Sequence, residues 1–130
     1  MLELRGLGKR YAVHDREVVA LADVDLVLKP GSFTVVVGRS GCGKSTLLRL
    51  LAGLTLPTTG AIHHNGERPK VGCVFQEPRL MPWLTVAGNV GFGLVGKVTK
   101  AEIEARVEAA LALVGLSDFH DPPPVHHRDP

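Results

Sequence analysis

Leu2 and Leu4 alternate with polar residues, Leu7 follows close behind, and Val24, Leu26 and Leu28 repeat the alternation after a polar stretch from Ala12 to Arg16. A period of two marks a strand with one face buried, so the front of the chain predicts two half-exposed strands joined by a loop over 12–16. Phe33 to Val37 is a continuous run rich in β-branched residues behind the Pro30-Gly31 turn, and it predicts a buried strand. Leu47, Leu48, Leu50, Leu51 and Ala52 place apolar groups on nearly every side of a helix, which predicts a buried helix ended by Gly53. Pro57, Gly60 and Asn65-Gly66 bracket Ala61 to His64 as a short strand, and Val71 to Phe75 predicts another buried strand.

Beyond that point Pro78 and Pro82 hold the chain out of helix until about Thr85. Val86 to Leu94 is a helix candidate weakened by Gly88, Gly91 and Gly93. Thr99-Lys100-Ala101-Glu102 reads as a capping box, followed by Ile103, Val107, Leu111 and Val114 on one face and Gly115 as a stop. After Phe119 the composition shifts to four prolines and one aliphatic residue, which predicts an unfolded tail over 120–130.

Between the run ending at Val37 and the helix containing Leu47 stands Gly38-Arg39-Ser40-Gly41-Cys42-Gly43-Lys44-Ser45-Thr46, the spacing G-x-x-x-x-G-K-[ST] of a phosphate-binding loop. Its glycines let the backbone curl until successive N–H groups point inward as a nest for phosphate oxygens. Lys44 reaches the outer phosphates in such a loop, Ser45 offers its hydroxyl to Mg²⁺, and the following helix aims its positive end at the anion. The order strand, loop, helix predicts binding of ATP or GTP, with Gly38, Ser40, Gly41, Cys42, Gly43, Lys44, Ser45 and Thr46 as contacts. The two alternating strands ahead of it predict an antiparallel layer added at the N-terminus of an α/β nucleotide-binding core.

Composition narrows the picture from outside. At 130 residues and 45% hydrophobic content the chain suits one domain or a piece of one. A net charge of +2 with no basic stripe gives no indication of nucleic acid or of an anionic membrane surface as partner. The absence of a bilayer-length apolar run, or of a signal-peptide pattern at Met1 to Arg5, leads to the expectation of an intracellular protein. Cys42 and Cys73 lack metal-ligand spacing and read as reduced thiols. Adjacent His63 and His64 would point to opposite faces of a strand, which disfavours a metal site there, and the three histidines of the tail read as part of a flexible polar end.

Taken together, residues 1 to about 119 resemble the front half of the ATP-binding subunit of an ABC transporter. Gly38 to Leu48 looks like the family's Walker A segment, and Gly72-Cys73-Val74-Phe75-Gln76-Glu77-Pro78 looks like its Q-loop. Tyr11 is similar in position to the aromatic residue that stacks on adenine, although a packing role serves a lone ring equally well. The stretch Gln76 to Val86 looks most like the importer branch serving nitrate, taurine, aliphatic sulfonates and related small solutes. The resemblance implies ATP and Mg²⁺ as ligands, with Ser45 and Gln76 toward the metal, and Met81, Pro82 and Trp83 as the surface that docks a membrane-spanning permease subunit. For Trp83, core filling is the competing reading. It also implies a second ATP-binding subunit as dimer partner in the full-length family and a cytoplasmic site on the inner face of the membrane.

The family pattern then stops. The signature Leu-Ser-Gly-Gly-Gln, the strand ending in Asp and Glu, the D-loop and the switch histidine do not occur in these 130 residues. Hydrolysis draws its water-activating group and full Mg²⁺ ligation from that missing end in the family. The expectation is therefore an incomplete P-loop domain over 1–119, the product of a truncated or frame-shifted gene, that binds phosphate without turnover. A non-hydrolysing regulatory fragment is the alternative, and a small P-loop kinase is a third reading that the front strands and the Gln76 segment argue against.

Overall fold

The computed structural model describes residues 1–41 and 43–119. They form two compact units divided between Val74 and Phe75.

The first unit is built on a three-stranded antiparallel sheet in the order β2-β1-β3, with β1 at Leu2–Val13, β2 at Arg16–Leu28 and β3 at Thr59–His64. Both leading strands run longer than their alternation predicts. The expected loop over 12–16 is a two-residue turn, with Val13 paired to Arg16 and with His14 and Asp15 both left-handed, at φ 47° and 59°. Those dihedrals belong to the hairpin turn whose twist matches that of its strands. The broken alternation Leu2, Leu4, Leu7 also has a local cause. Gly6 adopts φ 56° at a register shift, its N–H donating to Asp25 Oδ1 at 2.8 Å. The extra residue returns Leu7 to the face of Leu4, and both are buried.

Helix α1, Lys44–Leu51, lays Leu47 and Leu50 on that face to form the core with Leu4 and Leu7, edged by Leu21, Val24, Leu26 and Ile62. Gly53 ends it at φ 74°, its N–H donating to the Leu50 carbonyl at 3.1 Å while that of Leu54 reaches the Arg49 carbonyl at 2.9 Å. The expected all-round burial is corrected to a single buried face, because Leu48 is 56% exposed.

The predicted strands at 33–37 and 71–75 are the larger correction. Neither belongs to a ladder among the described residues, and Phe33 and Val74 are almost fully exposed. A strand exists through hydrogen bonds to a neighbour, and β1 already has β2 on one edge and β3 on the other. These runs keep the composition of core strands while leaving their apolar side chains uncovered, a feature associated with association surfaces.

The second unit pairs α2, Val86–Gly91, with α3, Lys100–Leu113. A 3-10 turn over Phe92–Leu94 follows α2, so the weak helix candidate at 86–94 is helical throughout. Gly91, which costs helix propensity, is buried. A Cβ placed there would stand 2.8 Å from Ile103 Cγ2 and 3.1 Å from Val107 Cγ2, so the glycine permits the close approach of α2 to α3. Gly91→Ala is expected to overpack this contact and destabilise the unit by about 1–3 kcal/mol. Thermal unfolding followed by circular dichroism checks it, and an unchanged midpoint contradicts the contact.

Thr99 caps α3 by accepting from the Glu102 N–H at 3.2 Å, whereas the Glu102 carboxylate turns to Arg106 at 2.6 Å rather than closing the capping box. Val107 and Leu111 are buried as the spacing predicts, but Val114 is the C-terminal cap and is 64% exposed. Gly115 at φ 76° and the Leu116 N–H, 2.8 Å from the Leu111 carbonyl, close the helix. The tail at 120–130 lies outside the described residues.

Candidate functional site

The phosphate loop leads into α1, whose N-terminal cap is Gly43 itself, left-handed at φ 96°. Two features of the chain force a glycine there. The dihedral is one that side chains resist, and a Cβ would run into the carbonyl oxygen of Ala20 and stand 2.9 Å from Leu21 Cδ2 on β2. The loop is therefore seated on the second strand of the antiparallel layer. Gly41, at φ 79°, supplies the other left-handed residue but faces open space. Cys42, between them, lies outside the described residues.

Lys44 folds its ammonium back across the loop, donating to the carbonyls of Gly38 at 2.5 Å and Arg39 at 2.8 Å. The charged head therefore lies against the loop backbone. The first turn of α1 carries neither a side-chain cap nor an acidic residue, so its positive end is available to an anion. Ser40 and Ser45 are exposed and Thr46 is half-buried, which leaves the Ser45 hydroxyl accessible to a cation held by phosphate.

Tyr11 is half-buried on β1, opposite Val18, with the Lys9 ammonium 5.2 Å from its ring centroid. Its partner residue lies a short way along β2 from Ala20, where the loop is seated. On β1, Arg5 donates to Glu3 at 2.9 Å and holds that carboxyl below its ordinary range, but the pair is exposed and screened by solvent. At the far end of α1 from the loop a groove of about 430 Å³ is lined by Leu50, Leu56, Ile62, His64, Arg68 and Val71.

The second unit carries the remaining candidates. Gln76 is exposed in a bend, no strand delivering it, and Arg79 lies 3.9 Å over the ring of Phe75 beside it. Met81, Pro82, Trp83 and Leu84 form a tight turn closed by the Leu84 N–H on the Met81 carbonyl at 3.1 Å. Proline occupies the second position, which its fixed φ suits, and Trp83 the third. Trp83 is 77% exposed, so core filling is excluded for it within this unit. Sequence reasoning missed Asn89, whose side chain grips this turn. No sequence spacing marks it, since its partners are main-chain groups. Among the described residues no helix is long and apolar enough to cross a membrane, and no group of three or more metal-ligating side chains is present.

A family model described as ABC transporter matches residues 21–128. The aliphatic sulfonates import ATP-binding protein SsuB of Rhodopseudomonas palustris is 46% identical over 119 residues, covering 90% of this chain and 41% of that protein. The spermidine/putrescine import ATP-binding protein PotA of Frankia alni is 45% identical over 129 residues, covering 92% of this chain and 28% of its own length. The chain thus spans less than half the length of these relatives. Among solved structures, the ATP-binding cassette MJ0796, a dimer in a post-hydrolysis state bound to ADP and Pi, superposes with a TM-score of 0.84 at 28% identity, over 96% of this chain and 62% of that one.

Proposed function

The chain belongs to the ABC transporter family, and from that membership we propose that it is the nucleotide-binding front portion of an importer's ATPase subunit, taking MgATP on its phosphate loop. One observation supports the reading above the others: two left-handed glycines lead directly into α1, with the Lys44 ammonium bridging the loop carbonyls at 2.5 and 2.8 Å. In this reading the loop and the first turn of α1 bind the phosphates, and Lys44 exchanges its carbonyl partners for phosphate oxygens. Ser45 and Gln76 supply oxygens toward Mg²⁺, and Tyr11 stacks on the base. Cys42, Ser40 and Thr46 complete the contacts.

Import ATP-binding proteins for sulfonates and for polyamines both stand among the relatives, so the substrate class is narrowed only by the Gln76 to Val86 stretch, which favours nitrate, taurine, aliphatic sulfonates and related small solutes. The permease docks on Met81, Pro82 and Trp83, and a second ATP-binding subunit pairs with the full-length protein on the cytoplasmic face of the membrane.

A fluorescent ATP analogue with Mg²⁺ tests the proposal. Saturable binding displaced by ATP is expected, and no displaceable binding by folded protein defeats it. Phosphate release is expected at background, because the sequence contains no Asp-Glu pair after an apolar run to position water. Turnover abolished by Lys44→Ala would instead reveal a complete catalytic site and overturn the fragment reading.

A further inference from the structure

We infer that Asn89 is the positioning residue that presents Trp83 to a permease, an inference resting on the docking role proposed for the Met81 to Trp83 segment. Asn89 belongs to α2, yet its side chain is spent on the turn in front of that helix. Its Oδ1 accepts from the Met81 N–H at 2.8 Å, and its Nδ2 donates to the Met81 carbonyl at 3.1 Å and to the Thr85 carbonyl at 3.0 Å. Both main-chain polar groups of Met81 are thus held by one amide, and the Met81 bonds are partly buried.

The Met81 carbonyl also closes the turn by accepting from Leu84. Asn89 therefore anchors the first residue of a four-residue turn whose third residue is the exposed indole. An apolar ring held in one place by a fixed turn loses little conformational freedom on docking, which is the benefit of preorganisation. The amide is specific to the task. Leucine would fill the space without any of the three bonds, and aspartate would keep the bond from the Met81 N–H while setting a carboxylate against the Met81 and Thr85 carbonyls.

Helix capping is a separate function, performed by the Thr85 hydroxyl, which accepts from the Gly88 N–H at 3.0 Å. That separation makes the inference testable. Trp83 is the only tryptophan of the chain, so its fluorescence anisotropy reports the turn directly. Asn89→Ala should lower that anisotropy and raise amide exchange at Met81 roughly tenfold, the effect of losing bonds of ordinary net strength, with helix content by circular dichroism retained. Thr85→Ala should leave the anisotropy at the wild-type value. Equal loss in the two variants would mean that Asn89 acts only by steadying α2 and would overturn the inference. Should Asn89→Ala fail to fold, the wild-type chain alone decides: an unprotected Met81 amide overturns the clamp.

Grafting residues 76–90 into a full-length importer subunit separates this inference from the docking reading. Transport lost with both Asn89→Ala and Trp83→Ser, basal ATPase being retained, supports both. Loss with Trp83→Ser alone overturns the role of Asn89 and leaves the docking surface standing. Unimpaired transport with Trp83→Ser overturns the docking reading and with it the presentation role, while the anisotropy result still tests the clamp by itself.

Discussion

Lys44→Ala should reduce affinity for MgATP by about 10- to 150-fold, the range expected when hydrogen bonds to a charged group worth about 1.5–3 kcal/mol are lost. In the proposed site the backbone nest would give shape, whereas Lys44 would supply a full positive charge to the outer phosphates. Its present bonds to the Gly38 and Arg39 carbonyls show that the side chain already lies along the loop rather than in solvent. Those same bonds steady the loop without nucleotide, so the substitution also unties the loop from α1. Lys44→Met retains the aliphatic stem and should lose affinity to the same degree, which assigns the loss to the ammonium. Titration with a fluorescent ATP analogue, on variants whose circular dichroism matches wild type, makes the measurement. Affinity unchanged in both variants would remove the phosphate role from Lys44.

How much of this was legible in the sequence depends on whether the deciding partner was local. The Thr99 cap, the Gly53 and Gly115 stops and the order of loop and helix are set by residues within a few positions of one another, and the structure shows them as read. The position of Leu7 needed the bulge at Gly6, which the alternation alone does not announce. Phe33 to Val37 has the composition of a core strand and no ladder among the described residues, because composition states what a segment can pair with and says nothing of whether the partner is present. The superposition on a cassette of which 62% is covered agrees with that account: the fold is shared, and part of it has no counterpart in this chain. Of the apolar face read on α3, Leu111 is buried within its own unit, whereas Val114 is exposed. Asn89 was illegible for a different reason, since a side chain that binds main-chain groups leaves no complementary residue to find.

The two left-handed glycines of the loop should respond unequally to the same change. Gly41→Ala carries only the dihedral penalty of a side chain at φ 79°, about 1–2 kcal/mol, because nothing stands within 4 Å of the new methyl. Gly43→Ala carries that penalty at φ 96° and also drives the methyl into the Ala20 carbonyl and toward Leu21 Cδ2, 2.9 Å away. The Leu21 side chain can turn aside but the Ala20 carbonyl is backbone and cannot, so a further ~1–3 kcal/mol of overpacking is expected. The cost falls where function depends on geometry. Gly43 is the cap of α1, and relieving the clash lifts the helix N-terminus, with Lys44 and Ser45, off its seat on β2. Gly43→Ala should therefore lower the unfolding midpoint clearly more than Gly41→Ala and abolish measurable MgATP binding at concentrations where Gly41→Ala still binds. Thermal denaturation and analogue titration on the two variants side by side provide the comparison. Equal effects of the two substitutions would show that the loop is not seated against Ala20, and the account of how the antiparallel layer supports the phosphate site would fail with it.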